Sequence, residues 1–216
     1  MTDGFPAKVL SFFKRYSRWV RGDVQLIPWL CKKVKNKKGN TVENPINGLS
    51  RYKIFDNIRR ILTPVVQLIA LSLFFVRQNP MTAAVAISAF LSLAVPLFIN
   101  CAVRIKSIGQ SLSTKGHATV YSGIGGGLIL TVSKILFLPF EAYVSARSLV
   151  TSLYRMYFSK KKLLEWVTAA ESEKTSVNGV GAYYSKMMVC PIHGAVMLLA
   201  GMNPLAFIVA AFWLFS

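Results

Sequence analysis

The sequence predicts an all-α fold: an integral membrane helical bundle of two transmembrane hairpins plus interfacial amphipathic helices. Three observations predict it. Of 216 residues, 53% are apolar and 16% charged, against about 25% charged in ordinary soluble domains, and the mean hydropathy is +0.45. The charges are one-sided, 26 Lys and Arg against 8 Asp and Glu, as in chains whose cations gather on the cytoplasmic face of a bilayer. Met81 to Val103 runs 23 residues without a charge, enough to cross about 30 Å of hydrocarbon. Nucleic acid would answer the charge but not the apolar runs, so no nucleic-acid partner is expected. Cys31, Cys101 and Cys190 stand far apart without a C-x-x-C pair and read as free thiols, so neither a zinc site nor a disulfide framework is indicated. Eight scattered acidic residues leave little for carboxylate catalysis. No secretory signal is expected at the start of this sequence, because the residues after Pro6 are mixed and polar.

Residues 1–60 form the basic end. They hold 14 Lys and Arg against Asp3, Asp23, Glu43 and Asp56. Val9, Leu10, Phe12, Phe13, Tyr16, Trp19 and Val20 recur at helical spacing with cations between them. Tyr52, Ile54, Phe55, Ile58, Ile61 and Leu62 form a second such set. Basic helices carrying Trp and Phe lie well at a membrane interface. The polar stretch from Lys32 to Asn47, with its Gly and Asn, has no periodicity and reads as a loop.

Residues 61–103 read as the first transmembrane hairpin. Ile61 to Val76 and Met81 to Val103 are the two rods and Gln78-Asn79-Pro80 is the turn. Arg59, Arg60, Arg104 and Lys106 flank its inner end, and long cationic side chains there can reach the head groups.

Residues 104–186 read as cytoplasmic, interfacial or re-entrant helices. Gly123, Gly125, Gly126 and Gly127 precede an apolar stretch interrupted by Lys134, Pro139, Glu141 and Arg147. A charge at the bilayer centre costs about 2.5–3.5 kcal/mol on insertion scales, so residues 118–150 are expected as an interfacial or re-entrant pair, with a full crossing as the alternative. Residues 148–173 read as a cytoplasmic helix with Leu149, Leu153, Met156, Tyr157, Leu163, Leu164 and Val167 on its apolar face. Arg155, Lys160, Lys161 and Lys162 suit anionic head groups. Residues 187–216 read as a second transmembrane hairpin, turning at Gly201-Met202-Asn203-Pro204. The abrupt apolar end at Ser216 reads as that of a fragment.

Several residues invite sharper readings. Gly-Ile-Gly-Gly-Gly from Gly123 lacks the third glycine of a dinucleotide fingerprint, which would fall at Leu128, and no strand precedes it. A small-residue helix contact through Gly123 and Gly127 fits better. His117 and His193 have no ligand partner at helical spacing and read as polar cap or interface residues. Glu165 beside Trp166 reads as an ion-pair partner on a basic helix. Arg18, Trp19, Arg21 and Asp23 stand out most. Arg forks bind phosphate bidentately and an indole stacks on a sugar face, so these residues suit diphosphate or glucan. An interfacial helix with its Trp and Arg among head groups is the plainer alternative.

A resemblance sharpens that choice. Arg15-Tyr-Ser-Arg18-Trp19 resembles the Q-x-x-R-W element of processive family 2-like glycosyltransferases, with Arg15 at the Gln position. The longer string Arg18-Trp-Val-Arg-Gly-Asp-Val-Gln-Leu-Ile-Pro-Trp29 is similar to that element in cyclic β-1,2-glucan synthases, with Val24 in place of an aromatic. Asn44-Pro-Ile-Asn-Gly-Leu-Ser-Arg-Tyr-Lys-Ile-Phe-Asp-Asn-Ile-Arg-Arg60 resembles the same family in the same order. So does the segment from Ala146 to Ala170, through Leu153, Arg155, Ser159, Leu163-Leu-Glu-Trp166 and Thr168-Ala-Ala170.

The resemblance implies a bacterial inner-membrane, multi-pass protein with a cytoplasmic N-terminus. In the intact family enzyme UDP-glucose is the donor and a divalent metal holds its diphosphate. The carboxylate motifs for metal and base lie upstream of the Arg-Trp element and are absent from this chain. It is therefore expected to be a membrane-embedded fragment of a glycosyltransferase (hexosyltransferase), inactive alone, with no catalytic or metal-binding residue and no cofactor of its own. Arg18, Trp19, Arg21 and Asp23 would bind diphosphate or glucan. The expected partners are anionic lipid head groups and the remainder of a split glucan synthase. A stand-alone membrane adaptor or a split synthase subunit is the alternative.

Overall fold

The computed structural model describes residues 8–36, 39–108, 114–161, 180–200, 204–214 and 216. Among them the chain is almost entirely helical. α1 (Val9–Gln25) runs into a 3-10 turn (Ile27–Leu30). A small antiparallel hairpin follows, β1 (Lys33–Lys35) with β2 (Thr41–Glu43), in the register Val34 opposite Val42. Then come α2 (Gly48–Val76), α3 (Pro80–Ile108), α4 (Thr114–Tyr154) with a π-helical turn (Arg155–Ser159), α5 (Val180–Met187), α6 (Val189–Ala200) and α7 (Pro204–Leu214). The chain divides into two compact units, Met1–Val65 with Glu141–Met187, and Val66–Phe140 with Met188–Ser216.

In the first unit, Val20, Val24 and Ile61 are buried, and Tyr16, Ile27, Ile58, Leu149, Leu153 and Met156 pack around them. The expected face of residues 148–173 is thus found as far as Met156, where it meets α1. Tyr157 is exposed, and residues 162–173, with Glu165 and Trp166, lie outside the described residues. Asn44 supports the loop expected between Lys32 and Asn47. Its amide donates to the carbonyls of Trp29 (2.6 Å) and Cys31 (2.8 Å), and its Oδ1 accepts from the Ile46 amide at 3.1 Å. That one buried side chain ties the 3-10 turn to the strand end. The loop is therefore more ordered than a polar run suggests.

In the second unit, Leu71, Phe75, Ala86, Leu93, Leu138, Met197, Ala210 and Trp213 form the core. The expected turn of the first hairpin is a reciprocal cap. Asn79 Oδ1 accepts from the Thr82 amide at 2.8 Å, and Thr82 Oγ1 accepts from the Asn79 amide at 3.2 Å. Pro80 sits at the first helical position, where its missing N–H costs nothing. α2 begins thirteen residues before Ile61, so the amphipathic set from Tyr52 to Leu62 and the first apolar run are one helix. Nothing between Leu49 and Thr63 breaks it, because no Gly or Pro intervenes.

Residues 118–150 depart from the expected pair of helices: they lie within the single helix α4. Of the glycines expected to make a helix contact, Gly127 does so. A Cβ at Gly127 would stand 3.1 Å from Leu97 Cδ1 of α3, so the small residue lets the two helices approach. Gly123 and His117, expected as a helix contact and a cap, lie where side chains are not described.

Pro139 is also tolerated inside α4, and for a specific reason. It has no N–H for the carbonyl four residues back, at Ile135. The buried Trp213 Nε1 donates to that carbonyl at 2.9 Å, and Ser216 Oγ donates to the Leu136 carbonyl at 2.8 Å.

Three helices are long and apolar enough to cross a membrane: Gly48–Val76 (29 residues), Pro80–Val103 (24) and Gly125–Ser159 (35). The hairpin expected over residues 187–216 is present as α6 and α7, but these have 12 and 11 residues. At 1.5 Å per residue each rises about 17–18 Å, short of the roughly 30 Å of a hydrocarbon core. They pack tightly on each other because Gly194 has no side chain. A Cβ there would meet the Ala210 carbonyl at 2.8 Å and the Leu214 amide nitrogen at 3.0 Å.

Candidate functional site

The site is built on α1. Its buried positions, Leu10, Phe13, Val20 and Val24, recur every three, four or seven residues and make one stripe. Trp19 faces away from that stripe and is 55% exposed. The Arg15 guanidinium lies 4.7 Å from the centre of its ring, one turn earlier on the same face. Arg18 precedes Trp19 in the chain, about 100° around the helix from it, and is half-exposed. Arg15, the residue at the Gln position of the resembled element, therefore packs its guanidinium against the exposed indole.

Asp23 lies one turn after Trp19 on the same face of α1, whereas Arg21 does not. Arg21 is about 200° around the helix from Trp19. Asp23 accepts a hydrogen bond from Asn57 Nδ2 of α2 at 2.9 Å. Asn57 Oδ1 in turn accepts from Arg60, which pairs with Asp56 at 3.2 Å; Asp56 also binds Arg59 at 2.8 Å. Asp23 thus begins a polar chain that fixes α1 to α2. Of the four residues singled out by sequence, Trp19 and Asp23 lie one turn apart on α1, and Asp23 is engaged by Asn57.

Two features of the seat of α1 were not singled out by sequence. Ser145, Ser148 and Ser152 are buried along one face of α4. Tyr16 Oη lies 2.9 Å from Ser145 Oγ, and Ser17 Oγ lies 2.7 Å from Ser148 Oγ. Burial pushes the Tyr16 phenol up from its ordinary value, and the Ser145 hydrogen bond partly offsets this. The signal was present in the serine spacing of three and four residues. It was hidden because serine alone fits a loop as well as a helix contact.

In the second unit, His193 Nε2 lies 3.1 Å from Ser72 Oγ, and its ring centre is 5.0 Å from that of Trp213. Gln67 Nε2 donates to Ser92 Oγ at 2.7 Å. These are helix-to-helix polar contacts of the kind that knit bundles in lipid. Among the described residues no three His, Cys, Asp or Glu side chains come together to hold a metal.

With three apolar helices of spanning length and a strongly basic balance, the chain is an α-helical membrane protein. It aligns over 203 residues, 92% of its length, at 30% identity with the cyclic β-(1,2)-glucan synthase NdvB of Rhizobium meliloti (strain 1021). The chain is thus related to a glucan synthase, and the match spans 7% of that protein's length. No family model matches the chain.

Proposed function

We propose that this chain forms a membrane-embedded part of a cyclic β-1,2-glucan synthase that uses UDP-glucose. Arg18 and Trp19 meet diphosphate or the growing glucan at the membrane surface, and the chain alone makes no glucan. The observation that carries this reading is the relationship to NdvB along 92% of the chain. The exposed Trp19 with the Arg15 guanidinium against its ring supports it. An indole beside a guanidinium suits a sugar joined to phosphate. Positioning and electrostatic stabilisation without a base or a metal supply only part of a glycosyl transfer, which is why the isolated chain is inactive. The membrane is the bacterial inner membrane, and the basic N-terminal residues lie on its cytoplasmic side with anionic lipid head groups as partners.

A segment exchange tests the reading. NdvB carrying this chain in place of its matching segment should make cyclic glucan from radiolabelled UDP-glucose in isolated membranes. Trp19→Ala in the same chimera should lower synthesis at least tenfold. Membranes holding this chain alone should incorporate no label. Glucan made by the isolated chain, or a chimera that inserts at full abundance yet makes none, would contradict the proposal.

A further inference from the structure

Lys134 interrupts the apolar part of α4, and the bundle does not cover it. No other residue from Ile124 to Phe140 is charged. Lys134 is exposed, with the exposed Ile129, Leu130 and Val132 near it in the chain. Among the described residues it has no hydrogen bond or ion pair. Its depth follows from two contacts. A Cβ at Gly127 would stand 3.1 Å from Leu97 Cδ1 and 3.5 Å from Asn100 Nδ2, so Gly127 is level with residues 97–100 of α3. Leu138 packs in the core with Ala86 and Leu93. Between these contacts α4 runs antiparallel to α3, and Lys134, seven residues past Gly127, comes level with about residues 90–93. That is the centre of the uncharged run from Met81 to Val103. Either end of the run is about 17 Å away, farther than a lysine stem carries its ammonium toward the head groups. An unpaired ammonium against hydrocarbon costs free energy, and charges at this depth ordinarily face a partner.

We infer that the outward face of α4 at Lys134 is a docking surface for another membrane helix, one that carries an Asp or Glu near its centre. Charge complementarity and depth choose this occupant. A lipid phosphate lies at the head-group level, away from Lys134. A second copy of this chain brings no acid to this depth: residues 61–76, 81–103 and 187–216 hold no Asp or Glu, and Glu141, the acid of α4, has interactions of its own. The surface also admits a helix closely. Gly126, Leu130 and Lys134 follow at spacings of four and share one side of α4. Nothing lies within 4 Å of a Cβ at Gly126, so a partner backbone can approach there. The inference does not rest on the glucan-synthase reading, because depth and charge carry it.

The test uses the full chain in liposomes of zwitterionic lipid, with Cys101 and Cys190 replaced by serine and a donor fluorophore on the exposed Cys31. The probe is a synthetic Leu/Ala transmembrane helix with one central Glu and an acceptor fluorophore. Energy transfer should saturate as the probe is added. Association should weaken about tenfold or more when the probe's Glu becomes Leu, when that Glu is moved seven residues toward one end, or when the chain carries Lys134→Leu. Lys134→Arg keeps the charge and should retain the association. Lys134→Leu puts an apolar side chain against lipid, so it should insert and unfold no earlier than the parent. Equal transfer with the Leu probe, or no loss in Lys134→Leu, would overturn the site. Loss of transfer on adding phosphatidylglycerol would overturn it too, giving the position to a lipid head group. Self-association of the chain that Lys134→Leu abolishes would do the same, giving it to a second copy. Each result leaves the segment-exchange experiment unaffected.

Discussion

Gly194→Leu separates α6 from α7 and gives the largest loss of stability expected from a single substitution in the second unit. The atoms that a side chain would strike are backbone: the Ala210 carbonyl at 2.8 Å and the Leu214 amide nitrogen at 3.0 Å, with Trp213 Cβ at 3.2 Å behind them. A flexible side chain could rotate away, but a helix backbone has to move as a whole. Overpacking a well-filled contact costs about 1–3 kcal/mol and occasionally more. Here the collision also displaces the fully buried Trp213. Thermal unfolding in mild detergent, followed by tryptophan emission, should show a lowered midpoint and a red-shifted folded state. Gly126→Leu is the matched control, because nothing lies within 4 Å of a Cβ there, and it should unfold no earlier than the parent.

Trp213→Phe is the second. It keeps an aromatic ring in the core but removes the indole N–H from the carbonyl of Ile135. That carbonyl has lost its helical partner to Pro139, and a buried acceptor left unsatisfied costs about 1–3 kcal/mol. The ring change adds a packing loss of its own, so the single variant does not isolate the hydrogen bond. Pro139→Ala does, because it returns an N–H to the helix. In a double-mutant cycle, Pro139→Ala should recover most of the hydrogen-bond loss when made on Trp213→Phe, and recover nothing when made alone. Strict additivity of the two substitutions would show that Trp213 acts only by filling space.

Both residues show where sequence and structure part. The apolar runs, the Asn79-Pro80 turn and the face made by Leu149, Leu153 and Met156 were legible, because each follows from periodicity or turn chemistry. Continuity of α4 was not. Its glycines and Pro139 are breakers in water, where a freed carbonyl or a flexible backbone finds solvent. Here Gly127 seats α3, and Trp213 serves the carbonyl that Pro139 frees. That compensation comes from a residue 78 positions away in the chain, which no local pattern records.

The candidate site divides in the same way. Trp19 was conspicuous by its chemistry and stands exposed on α1. Asp23, one turn on, was grouped with it for diphosphate or glucan, but its hydrogen bond from Asn57 of α2 is a tertiary fact that local sequence does not record.

Placement of the three long helices in lipid underlies each of these arguments, and nitroxide accessibility measures it most directly. Single cysteines at Ile69, Phe90 and Val132, all on exposed faces, would be labelled in a chain with Cys31, Cys101 and Cys190 replaced by serine, and reconstituted in liposomes. At all three positions the label should collide freely with molecular oxygen and be shielded from a water-soluble nickel chelate. Access to the nickel chelate equal to that of a label in open water, at all three, would contradict the account.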